Sequence, residues 1–249
     1  MTVRILDGAI GTELIARGFD LDAPAWSARA IEDAPDLLAR IHADYVGAGA
    51  SLHTANTFRT QPLALGKGWA AALRAAVDIA RDAVSPECAV LGSMAPIHDC
   101  YRPDLSPGKK GRAQHREVAS ALANAGCDAL LCETFANGAE AVVAVEEALA
   151  TGLPVWLSLT AGPFAELLSP SQLAQIGRDA VSNGVERLLV NCIAATQIGP
   201  YVDAIAALGV PLGAYANAGR EDEALGWGAT SPRAAEAYAD LAERWKDAG

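Results

Sequence analysis

Short apolar runs, each closing on a small polar cluster and leading into an amphipathic stretch, recur seven times along the chain. They occupy residues 4–8, 51–56, 89–96, 129–134, 154–161, 187–193 and 211–218. Several of them, such as ALLCET, PVWLSLTA and RLLVNCI, are apolar almost throughout instead of alternating. Strands covered on both faces in a parallel sheet have this pattern. Between the runs, apolar residues return at helical spacing: Leu37, Leu38, Ile41, Tyr45 and Ala48, then Trp69, Leu73, Val77, Ala80 and Val84. Val118, Leu122 and Ala125 follow, then Val142, Val145 and Leu149, then Ile198, Val202, Ile205 and Leu208, and last Ala234, Tyr238, Leu241 and Trp245. Residues 171–182 read as a weaker helix on Leu173, Ile176 and Val181. Gly47 and Gly49, Gly126, Gly152, Gly184 and Gly209 mark helix exits before the next strand.

This alternation predicts an α/β fold, a (β/α)8 TIM-type barrel in a single domain over residues 1–249, with seven units visible and strand eight apparently lacking. The terminal Gly249 stands where a helix exit would introduce that strand. An open doubly wound sheet is the alternative topology. In a barrel the chemistry lies at the C-terminal ends of the strands. Those ends carry Asp7, Asn56, Glu133, Cys192 and Asn217. The segment 97–112, IHDCYRPDLSPGKKGR, is long for a strand-to-helix loop and falls on the same face.

Composition narrows the partners. Acidic residues exceed basic ones, 30 against 19, for a net charge of −11. That balance argues against a nucleic-acid backbone or an anionic membrane as partner. The charge-free stretch 148–165 is broken by Gly152, Pro154, Gly162 and Pro163, so it reads as helix end, turn and buried strand. The opening residues run straight into the first strand without a secretory signal, and five cysteines form no CxxC pair. Reduced thiols in a cytoplasmic protein follow from these two features.

Asp7, in ILDGAIGTEL, reads equally as a turn or cap residue and as a carboxylate at a strand mouth, with Gly8 letting a ligand approach the backbone. Glu133 directly follows a buried run and has no route to solvent unless it points into the mouth. Cys192, beside Asn191, reads either as a small core residue or as a ligand or nucleophile. Cys132, one residue before Glu133, faces the helices by strand alternation. His53 reads as a core histidine, and His42, His98 and His115 show no metal-ligand spacing. There is no glycine-rich phosphate loop and no serine nucleophile elbow.

Taken in order, ILDGAIGTEL, PAWSARAI, APDLLARIHADYVGAGA, TANTF, CETF, VNC and AYANAG resemble the homocysteine S-methyltransferase family across essentially the whole chain. The resemblance implies a zinc-containing barrel that methylates the thiol of homocysteine. It makes homocysteine and a methyl donor the partners, with Asp7 and Glu133 on the substrate ammonium and Gly8, Thr57 and Asn217 also in the substrate site. It makes Cys192 a zinc ligand, whose two companions would come from a GGCC segment on strand eight. A position often held by tyrosine in the family is Arg59 here. Such chemistry needs help because a thiol at neutral pH is only a few per cent thiolate, and zinc coordination deprotonates it. An amino-acid-binding relative without zinc chemistry is the second reading, and a metal-free lyase with Glu133 as base is the third.

Overall fold

The computed structural model describes residues 3–218 and 232–248. Six parallel strands form one sheet: β1 (Leu52–Thr54), β2 (Ala89–Met94), β3 (Ala129–Phe135), β4 (Val155–Leu159), β5 (Arg187–Ala194) and β6 (Leu212–Asn217). Each pairs in parallel with its sequence neighbour, so the sheet order is the chain order. A doubly wound sheet reverses order at a switch point. Here every crossover steps the same way, which puts all the helices on one side.

The packing agrees. One apolar cluster on the sheet's inner face, with Leu6, Leu52, Leu91, Leu131, Trp156, Leu189 and Tyr215, contains no helical residue. The larger core, with Val90, Leu130, Cys132, Phe135, Leu157 and Val190, lies between the opposite face and the helices. Phe135 is fully buried in it.

The first expected strand, residues 4–8, is reduced to a single bridge, Leu6 to Leu52. Asp7 N–H donates to the Leu52 carbonyl at 2.8 Å, and Ser51 N–H donates to the Ile5 carbonyl at 2.9 Å. Among the described residues this segment pairs with one neighbour, β1, and Val3 and Ile5 remain exposed. A strand paired on one edge, with the face carrying Val3 and Ile5 uncovered, forms only the bonds that the neighbour imposes.

The expected helices are present. Pro35–Gly47, Trp69–Ala83, Arg112–Asn124, Gly138–Leu149, Pro170–Ser182, Gly199–Ala206 and Pro232–Asp247 alternate with the strands. The weaker pattern at 171–182 gains a capping box: Ser169 and Gln172 satisfy each other's backbone N–H groups, with Pro170 in the first turn. Such caps stabilise a helix start by about 1 kcal/mol. Gly126 and Gly184 leave their helices at φ of 90° and 108°, where a side chain would be strained. Gly249 lies outside the described residues.

Candidate functional site

The C-terminal strand ends open into a cavity of about 2420 Å³, and Asp7, Gly8, Asn56, Glu133, Cys192 and Asn217 all line it. Asp7 Oδ2 accepts from Thr54 N–H at 3.0 Å, and Oδ1 accepts from the Thr54 hydroxyl at 3.1 Å. Burial nevertheless pushes its carboxyl well above the usual carboxylate range, and the charge of Glu133 adds to the rise. Glu133 accepts from the Ser93 hydroxyl and, at 2.7 Å, from the Tyr215 hydroxyl. Burial raises this carboxyl too, against the lowering pull of those two bonds. Among the described residues no basic side chain is hydrogen-bonded to either carboxyl, and a small cation is the kind of group that two such buried acids could receive.

Cys192 reaches the cavity by an irregular route. Leu189 packs in the inner cluster and Val190 in the outer core, so strand alternation assigns Asn191 inward and Cys192 toward the helices. Pairing between β5 and β6 shifts register between Asn191 and Ala194, and Cys192 takes φ 56°. That left-handed turn brings the thiol to the cavity. The same device recurs on β3, where register shifts between Cys132 and Phe135 and Thr134 takes φ 64°. A non-glycine residue held there costs about 1–3 kcal/mol.

Asn191 ties the two bulges together. Its amide accepts from the Ser158 hydroxyl at 2.7 Å and donates to Thr134 Oγ1 at 2.8 Å and to the Cys192 sulfur at 3.1 Å. Burial, then the charge of Glu133, pushes the Cys192 thiol up to about 11.

Other residues fall differently from the sequence reading. Thr57 does not line the cavity. Its hydroxyl donates to the Ser93 carbonyl at 2.9 Å and accepts from Ser93 N–H at 2.9 Å, bracing the strand that presents Ser93 to Glu133. The space left by Gly8 is filled by Tyr45: a Cβ there would lie 2.5 Å from the Tyr45 hydroxyl oxygen. Cys132 packs among the helices, as its parity requires. Cys100 and Tyr101 also line the cavity.

The long loop 97–112 is responsible, folding back through two short turns at Pro103–Leu105 and Gly108–Gly111. Two histidines from different elements also meet in the fold. His42, from Pro35–Gly47, and His53, from β1, converge with Asp7 so that one donor atom from each lies within 4.8 Å of the others. Contacts assembled from three separate elements leave no spacing signature. The sequence reading missed Thr54, Ser93, Tyr101, Thr134 and Tyr215. For Ser93 and Tyr215 the available signal was a polar residue at an inward strand position.

The homocysteine S-methyltransferase family model matches residues 4–249. The chain belongs to the homocysteine S-methyltransferase family. It is 31% identical to homocysteine S-methyltransferase of Escherichia coli (strain K12), an alignment covering 99% of this chain and 88% of that protein. Selenocysteine Se-methyltransferase of Brassica oleracea is 26% identical, over 98% of this chain and 82% of that one. Among solved structures, the oxidized form of homocysteine methyltransferase MmuM from E. coli superposes with a TM-score of 0.83 at 27% identity, covering 99% of this chain and 88% of that one. The metallated form of the same enzyme gives 0.73 at 25% identity, covering 97% and 96%. No helix among the described residues is long and apolar enough to cross a membrane.

Proposed function

We propose that this chain transfers a methyl group to the thiol of homocysteine, giving methionine, in the cytoplasm and as part of methionine biosynthesis. The observation that carries the reading is the pair of buried carboxyls of Asp7 and Glu133, the charge of Glu133 acting on Asp7, on the same cavity as Cys192. An α-ammonium entering between the carboxyls draws both toward their charged forms and releases protons to solvent. Thr54 holds Asp7, and Ser93 and Tyr215 hold Glu133, so the receptor is oriented before the amino acid arrives. Asn217 and Gly8 border the same space, and Thr57 acts through Ser93.

The family resemblance brings zinc, which when bound supplies a substrate sulfur held as thiolate. Cys192 suits one ligand position, since its sulfur borders the cavity beside the carboxyls. Among the described residues no group of three His, Cys, Asp or Glu donors includes it. The reading also takes the sheet as part of a closed (β/α)8 barrel in a single domain, which the 0.83 superposition supports. That Cys192 stands in no such donor group favours, as second reading, a relative that binds the amino acid without zinc chemistry.

Calorimetric titration with homocysteine tests the pocket. Glu133→Gln is expected to weaken binding about 10- to 100-fold, the equivalent of about 1.5–3 kcal/mol for a hydrogen bond to a charged group. Unchanged affinity refutes the assignment. Methyl transfer, and the thiolate-to-metal charge-transfer band of the cobalt-loaded chain, both lost in Cys192→Ala, separate the enzyme from the binding protein.

A further inference from the structure

Behind the strand ends, between Pro35–Gly47 and β1, two histidines are buried without adequate partners. His42 and His53 are 1% and 0% exposed. Among the described residues neither ring nitrogen of His42 has a hydrogen-bond partner, and Nδ1 of His53 has none. His53 Nε2 lies 3.3 Å from the Ala50 carbonyl, which takes its proton and leaves Nδ1 as a lone pair. Metal-bound histidines are commonly oriented in this way, one nitrogen donating to a carbonyl and the other free to coordinate. His42 Nδ1 lies 3.9 Å from Asp7 Oδ2, and the two rings meet edge to face with centroids 6.0 Å apart. A buried polar atom without a partner costs about 1–3 kcal/mol. Three of them in one place mark a cluster that lacks something.

We propose that His42, His53 and Asp7 form a thiolate-free metal site, apart from Cys192, for a borderline divalent cation of the zinc or cobalt class. Two imidazoles and a carboxylate are the donor set such ions take. One donor atom from each residue already lies within 4.8 Å of the others. Ligands at about 2.0–2.1 Å from zinc stand about 3.4 Å apart in a tetrahedron, so each pair has at most about 1.4 Å to close by ring and carboxylate rotation. Burial, and then the neighbouring His53, lowers the His42 pKa to about 4, so its imidazole is neutral and able to coordinate at neutral pH. Asp7 is the only one of the three that borders the cavity. A cation held behind it fixes the carboxylate's charge and orientation from the rear.

The test uses cobalt(II) with the metal-stripped 249-residue chain carrying Cys192→Ser. One cobalt per chain is expected, with d–d bands of a nitrogen and oxygen shell and no thiolate-to-cobalt charge-transfer band. His53→Leu and His42→Gln are each expected to weaken binding at least 10-fold. His53→Leu suits the apolar surroundings, and an unchanged near-ultraviolet circular dichroism spectrum verifies its fold. The wild-type chain, whose fold is not in question, must show the same nitrogen and oxygen signature alongside any thiolate band. Failure of the Cys192→Ser and wild-type chains to bind cobalt at this site overturns the proposal, as does binding that both histidine variants retain. In that case a bridging water satisfies the ring nitrogens. Because the readout is metal content and spectrum, its failure leaves the homocysteine pocket untouched.

Discussion

Glu140 is 1% exposed and holds the long loop over the cavity. Its Oε1 accepts from Ile97 N–H at 2.8 Å and lies 3.2 Å from His115 Nε2, and its Oε2 accepts from the Ser106 hydroxyl. Replacing it with alanine leaves three donors unpaired, those of Ile97 and His115 buried and that of Ser106 half-buried. At about 1–3 kcal/mol for each, offset by relaxation, the loss is about 3–5 kcal/mol. In a chain of this size that corresponds to a melting temperature lower by about 10 °C.

Glu140→Gln keeps an acceptor toward Ile97 and His115, and Ser106 can turn to accept, so only the charge is lost, at about 1 kcal/mol. Differential scanning calorimetry at pH 7 on the two variants separates packing from hydrogen bonding. Burial alone would raise this carboxyl, but the bonds from His115, Ile97 and Ser106 outweigh it and hold the pKa below the ordinary value. The stability it contributes is therefore present above the ordinary glutamate pKa of about 4.3 and is lost as pH falls through the depressed folded value. The gap between the parent chain and Glu140→Gln should close on that side. An alanine variant as stable as the glutamine one, or a gap that persists in acid, refutes the reasoning.

Tyr215→Phe removes the 2.7 Å donor from Glu133 and should cost about tenfold in homocysteine affinity at pH 7, with the binding profile displaced to higher pH. Titration calorimetry across pH reads both effects, and an unchanged profile counts against the ammonium receptor. Asp7 and Glu133 both have raised folded-state pKa values, so the stability they contribute is complete below the ordinary carboxylate range and declines as pH rises through those values. Thermal scans of the ligand-free chain should show this decline, and Asp7→Asn or saturating homocysteine should flatten it. A decline unaffected by either places its origin elsewhere.

Strand order, helix placement and the outward parity of Cys132 were legible because each follows from periodicity. So was the convergence of Asp7 and Glu133 on one cavity, since two strand ends in a parallel sheet share a face. The first strand was overcounted because an apolar run says nothing about how many neighbours it will pair with. Gly8 borders the cavity and Thr57 does not, and their local duties, accommodating Tyr45 and bracing Ser93, depend on partners far off in sequence. The histidine pair was hidden for the same reason, as was Tyr101, which arrives on a loop whose path is set by Glu140.

The bulges on β3 and β5 change how much chemistry one strand can deliver. A straight strand offers one side chain to a given face every two residues, or about every 6.6 Å. By turning left-handed at Thr134 and Cys192, each of these strands brings two consecutive residues, Glu133 with Thr134 and Asn191 with Cys192, into a single polar cluster. Functional density at the mouth is thus doubled without lengthening a loop. The arrangement is correspondingly sensitive to counting: a one-residue deletion within either bulge restores the regular ladder and withdraws one member of each pair, even where every residue type is kept.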